Sequence, residues 1–144
     1  RIMSLQEPDK KMSKSDSNPN GYIAVLDSPD DIMRKFKRAV TDSGSEVRRG
    51  PDKAGVNNLI SIYGAVTGRT AEQTESDFAG RGYGDYKLAV AEAVVEHLRP
   101  IREKYEALMA DRAYLDKVFE TGAARAVQAS RRTLEKVYRK VGFR

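Results

Sequence analysis

Two lysines three residues apart, Lys11 and Lys14, stand in the stretch Lys11-Met12-Ser13-Lys14-Ser15, with one serine between them and one after. Those residue types at that spacing suit the binding of a polyphosphate. Each lysine is a compact ammonium charge on a flexible stem that can follow a phosphate as its geometry changes, and the serines and backbone N–H groups add donors. A two-lysine cluster taken alone also fits a solvated surface loop. Other candidates for chemistry are few. His97 is the sole histidine, on the apolar side of the longest predicted helix, with no cysteine or second histidine for a metal site, and reads as a packed core residue. Asp16 reads as a turn or cap residue rather than a magnesium ligand, and no metal ligand set is found. Tyr83 and Tyr86 could stack on an exposed base, with ordinary packing as the alternative. The absence of cysteine excludes disulfides, thiolate zinc sites and a cysteine nucleophile.

The elements that must position these residues are mostly helical. Residues 1 to 28 read as a short strand, the lysine loop, and a turn-rich return through Asn18-Pro19-Asn20-Gly21 into the apolar run Tyr22 to Leu26. Ser28 then caps a helix with Pro29 at its first position and Asp30 and Asp31 complementing the dipole. Its stripe of Ile32, Met33, Phe36 and Val40 predicts that it runs to about Thr41. Residues 42 to 55 predict a loop or small hairpin. A second helix carries Val56, Leu59, Ile60, Tyr63 and Val66 and stops at Gly68. Thr70 with Gln73 forms a capping box for a short third helix ending near Gly80. The fourth is predicted over Asp85 to Ala110, with Tyr86, Val90, Val94, His97, Ile101, Tyr105 and Leu108 on one side and a kink at Pro100. The fifth, about Arg112 to Val141, carries Leu115, Val118, Phe119, Ala126, Leu134, Val137 and Val141, with Gly122 as a break. The fold class is therefore mainly α: a bundle of about five helices preceded by a short strand and a loop. At 144 residues the chain is long enough for a genuine core, and no apolar run approaches the roughly 20 residues of a membrane span.

Charge is unevenly placed. From Gly122 to Arg144 there are seven basic residues against the single acid Glu135, so this end carries the whole excess of a chain whose net charge is +5. Arg131, Arg132, Lys136, Arg139 and Lys140 fall off the apolar stripe and are free to meet a phosphate backbone; a solvated helix face is the alternative. Arg34, Lys35, Lys37 and Arg38 form a smaller cluster, which Asp30, Asp31 and Asp42 make more readily a solvated face.

The pentapeptide, embedded as Pro8-Asp9-Lys10-Lys11-Met12-Ser13-Lys14-Ser15-Asp16, matches letter for letter the signature loop of class I aminoacyl-tRNA synthetases. Arg1-Ile2-Met3-Ser4-Leu5, Ala39-Val40-Thr41-Asp42-Ser43, Asn58-Leu59 leading to Ile62-Tyr63, Gly82-Tyr83-Gly84 and Leu98-Arg99-Pro100-Ile101 follow in order. From end to end the chain resembles the C-terminal portion of the bacterial tryptophanyl-tRNA synthetases. Tyrosyl enzymes share the loop and resemble the later stretches less.

The resemblance implies ATP, with Mg²⁺, as substrate, tRNA(Trp) as partner, and tryptophan bound through an N-terminal half. It implies a homodimer in the cytoplasm, without membrane attachment. Residues 1–28 would end the nucleotide-binding catalytic domain, and residues 29–144 would form the helical tRNA and anticodon domain. Lys11 and Lys14 would neutralise charge on the leaving pyrophosphate, Ser13 and Ser15 would donate to phosphate oxygens, Met12 would anchor the loop, and the Ile2 backbone would line the adenine pocket. Arg131, Arg132, Lys136, Arg139 and Lys140 would meet RNA. The family's second signature, His-Ile-Gly-His or a variant, does not occur here and the first residue is Arg1, so a fragment inactive by itself is expected. A non-catalytic helical RNA-binding module and a tyrosyl relative stay open as alternatives.

Overall fold

The computed structural model describes residues 1–143; Arg144, one of the seven basic residues of the C-terminal end, lies outside them. Among the described residues there are five helices: α1 (Pro29–Lys37), α2 (Ala54–Thr67), α3 (Ala71–Asp77), α4 (Tyr83–Ala110) and α5 (Arg112–Val141). The mainly helical reading holds, and the predicted strand is reduced to one antiparallel bridge between Met3 and Lys11. The chain divides into two compact units, Arg1–Arg102 and Glu103–Arg144.

In the first unit, local signals set the starts of α1 and α3 and the end of α2. The Ser28 hydroxyl accepts the Asp31 N–H at 3.1 Å ahead of Pro29. The box at α3 closes both ways: Thr70 Oγ1 accepts Gln73 N–H at 3.2 Å, and Gln73 Oε1 accepts Thr70 N–H at 2.9 Å. Gly68 ends α2 in the left-handed region at φ 75°.

α1 stops at Lys37, short of the predicted Thr41. The reason is tertiary. The Val40 N–H donates to Leu5 O at 2.8 Å and Gln6 Nε2 donates to Arg38 O at 2.8 Å, so groups that would extend the helix are taken by the segment before the loop. Val40 consequently leaves the apolar stripe and is 44% exposed. Residues 42–53 form an irregular loop pinned by buried Val47.

The core gathers Leu5, Ile32, Phe36, Val56, Leu59, Ile60, Tyr86 and Val90, all essentially without exposure. Each large apolar side chain contributes roughly 1.5–3 kcal/mol by leaving water. Tyr86 packs edge-on against Phe78, centroids 4.7 Å apart, and Phe78 against Tyr63 at 5.6 Å. Tyr83 is buried too, so neither tyrosine presents a ring for an incoming base.

α4 starts two residues before the predicted Asp85 and continues as helix through Pro100. Its 28 residues span about 42 Å at a rise of 1.5 Å per residue, roughly twice the length of 14-residue α2. The covered part of its stripe accordingly ends near Val94 and Leu98. His97 is exposed rather than a packed core residue, and Ile101 and Tyr105 are exposed as well.

In the second unit, α5 is capped by Asp111, which accepts the Tyr114 N–H at 3.0 Å, and runs unbroken through Gly122. It contains no buried residue; Val118, Leu134, Val137 and Val141 are open, and Phe119 is 71% exposed. The predicted stripe forms at helical spacing without being covered. Among the described residues no helix is long and apolar enough to cross a membrane.

Candidate functional site

The lysine loop grows from a narrow base. Residues 2–5 lie antiparallel to residues 10–12, with Ser4 N–H donating to Lys10 O at 2.8 Å and Met12 N–H to Ile2 O at 3.1 Å. The Lys10 N–H closes the intervening turn onto Glu7 O at 2.8 Å. On the return side, Leu5 N–H donates to Gly21 O at 2.9 Å. Both limbs of the loop are thus tied to the same short segment. The approach at Gly21 is close: a Cβ would meet Ser4 Oγ at 2.9 Å and Asp16 Oδ2 at 2.8 Å, so those side chains would have to shift.

Between the limbs the loop is held by bonds to itself. Asp16 N–H donates to Ser13 O at 3.2 Å, Asn18 N–H to Asp16 Oδ1 at 2.9 Å, and Asn20 N–H to Asn18 Oδ1 at 3.0 Å. These are turns in which short polar side chains cap their own backbone. Asp16 is therefore used as a turn residue.

Lys11, Ser13, Lys14 and Ser15 are all exposed. No carboxylate among the described residues pairs with Lys11 or Lys14. Their neighbour Lys10 differs: it is ion-paired to Glu7, whose hydrogen bond and charge hold the ammonium above the ordinary lysine value. Two unpaired cations, Lys11 on the paired base and Lys14 in the loop beyond it, can attract an anion without first breaking a salt bridge.

Ile2 and Met12, brought together by their backbone bond, line a shallow apolar groove of ≈ 190 Å³ with Ile23, Phe36, Ile62 and Leu98; exposed His97 sits on its rim. Met12 packs against the core from this groove. No group of three His, Asp or Glu side chains among the described residues is placed to hold a metal ion.

The five basic residues of α5 belong to the second unit. At about 100° per residue, Arg131, Arg132, Lys136, Arg139 and Lys140 fall in one half of the helix surface, opposite Leu134, Val137 and Val141. All five are exposed, and Arg131 is bonded to Glu135 at 2.9 Å. That pair is solvent-exposed and gives way readily to a stronger anion.

Three features of the loop's surroundings escaped the sequence reading. Lys35, placed by sequence in a solvated basic cluster, is buried and ion-paired to Asp27 at 2.6 Å. Its position three after Ile32 and beside Phe36 was the available signal. Buried Asn58 bonds the backbone of Met3, 55 residues away. Tyr83 Oη donates to Asp42 Oδ2 at 2.8 Å while Lys53 Nζ donates to Tyr83 Oη at 3.0 Å, which ties the loop of residues 42–53 to α4. Burial works to raise the Asp42 carboxyl, but the bonds from Tyr83 and the Gly44 N–H, with the Lys53 ammonium, outweigh it and hold Asp42 below the ordinary carboxylate value.

The helical framework with its short antiparallel base and cationic loop can be placed by comparison with known proteins. The family model described as tRNA synthetases class I (W and Y) matches residues 1–99, and the chain belongs to that family. It is 47% identical over 143 residues to the tryptophan–tRNA ligase of Wolinella succinogenes, covering 99% of this chain and 44% of that protein. The chain thus spans less than half the length of the curated relatives it matches. The crystal structure of tryptophanyl-tRNA synthetase from Mycoplasma pneumoniae superposes with a TM-score of 0.70 at 32% identity, covering 99% of this chain and 43% of that one. The Campylobacter jejuni enzyme, complexed with ADP and tryptophan, shares the fold with a TM-score of 0.80 at 23% identity, over 98% of this chain and 43% of that one.

Proposed function

We propose that this chain is the part of a tryptophan–tRNA ligase that supplies the ATP-phosphate loop and the tRNA-facing helices. The observation that carries the reading is the pair of unpaired ammonium groups, Lys11 and Lys14, on an exposed loop whose two limbs are bonded to residues 2–5. Its relatives are tryptophan–tRNA ligases, and one structural neighbour is complexed with ADP and tryptophan.

The reaction is a substitution at phosphorus. The tryptophan carboxylate attacks the α-phosphorus of ATP, the bond to the bridging oxygen breaks, and pyrophosphate leaves; a terminal ribose hydroxyl of tRNA then displaces AMP from the adenylate. Lys11 and Lys14 neutralise charge gathering on the departing pyrophosphate, and the Ser13 and Ser15 hydroxyls donate to its oxygens. The Ile2 backbone lines the adenine pocket, and Met12 anchors the loop. ATP enters as its Mg²⁺ complex, so the metal belongs to the substrate. Residues 1–28 close the catalytic domain, residues 29–144 face tRNA, and the amino-acid pocket comes from the part of the relatives' length not spanned here. The complete protein works in the cytoplasm as a homodimer, as the family resemblance implies.

The test is Lys14→Ala in the complete protein, read by tryptophan-dependent pyrophosphate exchange and by tRNA binding. A fall of about 10²-fold or more in exchange with tRNA affinity retained is expected. Equal loss of both would overturn the assignment. Retained tRNA binding with no exchange in the unaltered protein would favour a non-catalytic RNA-binding module, and exchange driven by tyrosine would place the chain with the tyrosyl relatives.

A further inference from the structure

Lys35 is the one charged side chain in the buried set of the described residues. Its ammonium lies 2.6 Å from Asp27 Oδ2, with the two side chains 7% and 18% exposed. It also sits over the Tyr22 ring, 5.0 Å from the centroid. The same Asp27 oxygen accepts the Ala24 N–H at 2.9 Å, and Asp27 N–H donates to Ala24 O at 3.0 Å. One α1 side chain therefore grips both ends of the segment from Tyr22 to Asp27, which continues the lysine loop after Gly21. From the adjacent position on the exposed side of α1, Arg34 Nη1 reaches Asn20 Oδ1 at 3.4 Å.

Burying an ammonium is costly, and a lysine kept for solubility would stay in water. Replacing a buried ion pair by apolar groups is often neutral or favourable, so stability alone gives little reason for the pair. What the pair does is geometric. The leading limb is already fixed by the bonds of residues 2–4 to residues 10–12, and the return limb has the single backbone bond from Leu5 to Gly21. Besides that bond, Ile23 packs against the core, the exposed Arg34–Asn20 bond reaches the limb from α1, and Lys35 holds it from the buried side through Asp27 and Tyr22.

We propose that Lys35 is a positioning residue for the lysine loop, holding its return limb through Asp27 and Tyr22 so that Lys14 swings about a base fixed on both sides. The inference rests on the reading of that loop as an ATP-phosphate loop. Lys35 touches neither ATP nor tryptophan; it acts through the backbone that carries Lys14.

The experiment compares Lys35→Met, Lys35→Arg and the double variant Lys35→Met with Asp27→Leu in the complete protein, alongside Lys14→Ala. The readouts are the kcat for adenylate formation, the KM for ATP and for tryptophan, and the melting temperature, with kinetics run well below melting. Lys35→Met is expected to lower kcat about 10- to 100-fold, the range a misplacement near 1 Å produces, with the KM for tryptophan unchanged; Lys35→Arg is expected to recover most of the loss. The double variant removes the unpaired charge, so its melting temperature recovers while kcat stays low. Should Lys35→Met fail to fold, the double variant and Lys35→Arg carry the test. A double variant that regains kcat together with stability, or a folded Lys35→Met with ordinary kcat, overturns the positioning role. If Lys14→Ala has no effect on exchange, the phosphate-loop reading itself fails; if Lys14→Ala is impaired and Lys35→Met is not, only the present inference does.

Discussion

Asn58, buried in α2, exchanges two hydrogen bonds with the backbone of Met3: its Oδ1 accepts the Met3 N–H at 2.9 Å and its Nδ2 donates to Met3 O at 2.7 Å. The amide satisfies the segment before the lysine loop as a neighbouring strand would. Asn58→Ala orphans two backbone groups, each at about 1–3 kcal/mol when buried. The urea unfolding midpoint should fall accordingly, and Asn58→Asp, which sets a buried carboxylate oxygen against the Met3 carbonyl, should fall at least as far at neutral pH. An unchanged midpoint in Asn58→Ala would mean that Met3 finds other partners.

Two glycine-to-alanine substitutions in helices should move stability in opposite directions. Gly55, in the first turn of α2, lies against the Val40 carbonyl, and a methyl there would overlap the Val40 oxygen. Backbone cannot rotate aside as a side chain can, so Gly55→Ala should cost about 3 kcal/mol or more. Gly122 in α5 has nothing within 4 Å of an added Cβ. Gly122→Ala should raise the helicity of α5 and add about 0.5–1 kcal/mol. Circular dichroism melts of the two variants check the pair together.

Asp42 gives the stability a definite acid dependence. Its carboxyl titrates below the ordinary value of 3.8 when folded, because the hydrogen bonds from Tyr83 and Gly44 and the Lys53 ammonium outweigh burial. The folded state therefore binds this proton less readily than the unfolded chain does. The stability that Asp42 contributes is complete above that value and is lost as pH falls below it. Urea unfolding of the parent from pH 5 to pH 2 should show the loss, and Asp42→Asn should be less stable at pH 5 with a shallower acid slope. Identical slopes would sink the assignment. Asp31, Glu72 and Glu96 are held low as well, so part of the slope remains in the variant.

The basic half of α5 predicts a salt signature. Replacing Arg131, Arg132 and Lys136 together with Gln should weaken tRNA binding and reduce the slope of log K against log salt by about 1 for each phosphate no longer neutralised. The double variant Arg131→Gln and Glu135→Gln separates a role in RNA binding from the exposed pair. An unchanged slope in the triple variant would make the basic half a solubility feature.

Local chemistry made much of this chain legible. Ser28 with Asp31, Thr70 with Gln73, and Gly68 each act within four residues, so the limits they set for α1, α2 and α3 follow from neighbours in the chain. The span of α5 and the exposed pair Lys11 and Lys14 are local in the same sense. The early end of α1 was not legible, because Val40 N–H is taken by Leu5 O, 35 residues earlier. His97 and Gly122 show the same limit. Periodicity places His97 on an apolar side, but whether that side is covered depends on how far other helices reach; Gly122 weakens a helix without compelling a break.

By itself the sequence determined the number and type of the helices, the loop with its two cations, and the basic half of α5, because composition, caps and spacing act over one or two turns. Tertiary structure alone decided that Lys35 is buried on Asp27, that Asn58 holds Met3, and that the loop's two limbs share residues 2–5. Each of those relationships joins groups far apart along the chain or reverses the usual exposure of a residue type, and only the burial of a shared core brings them within hydrogen-bond distance.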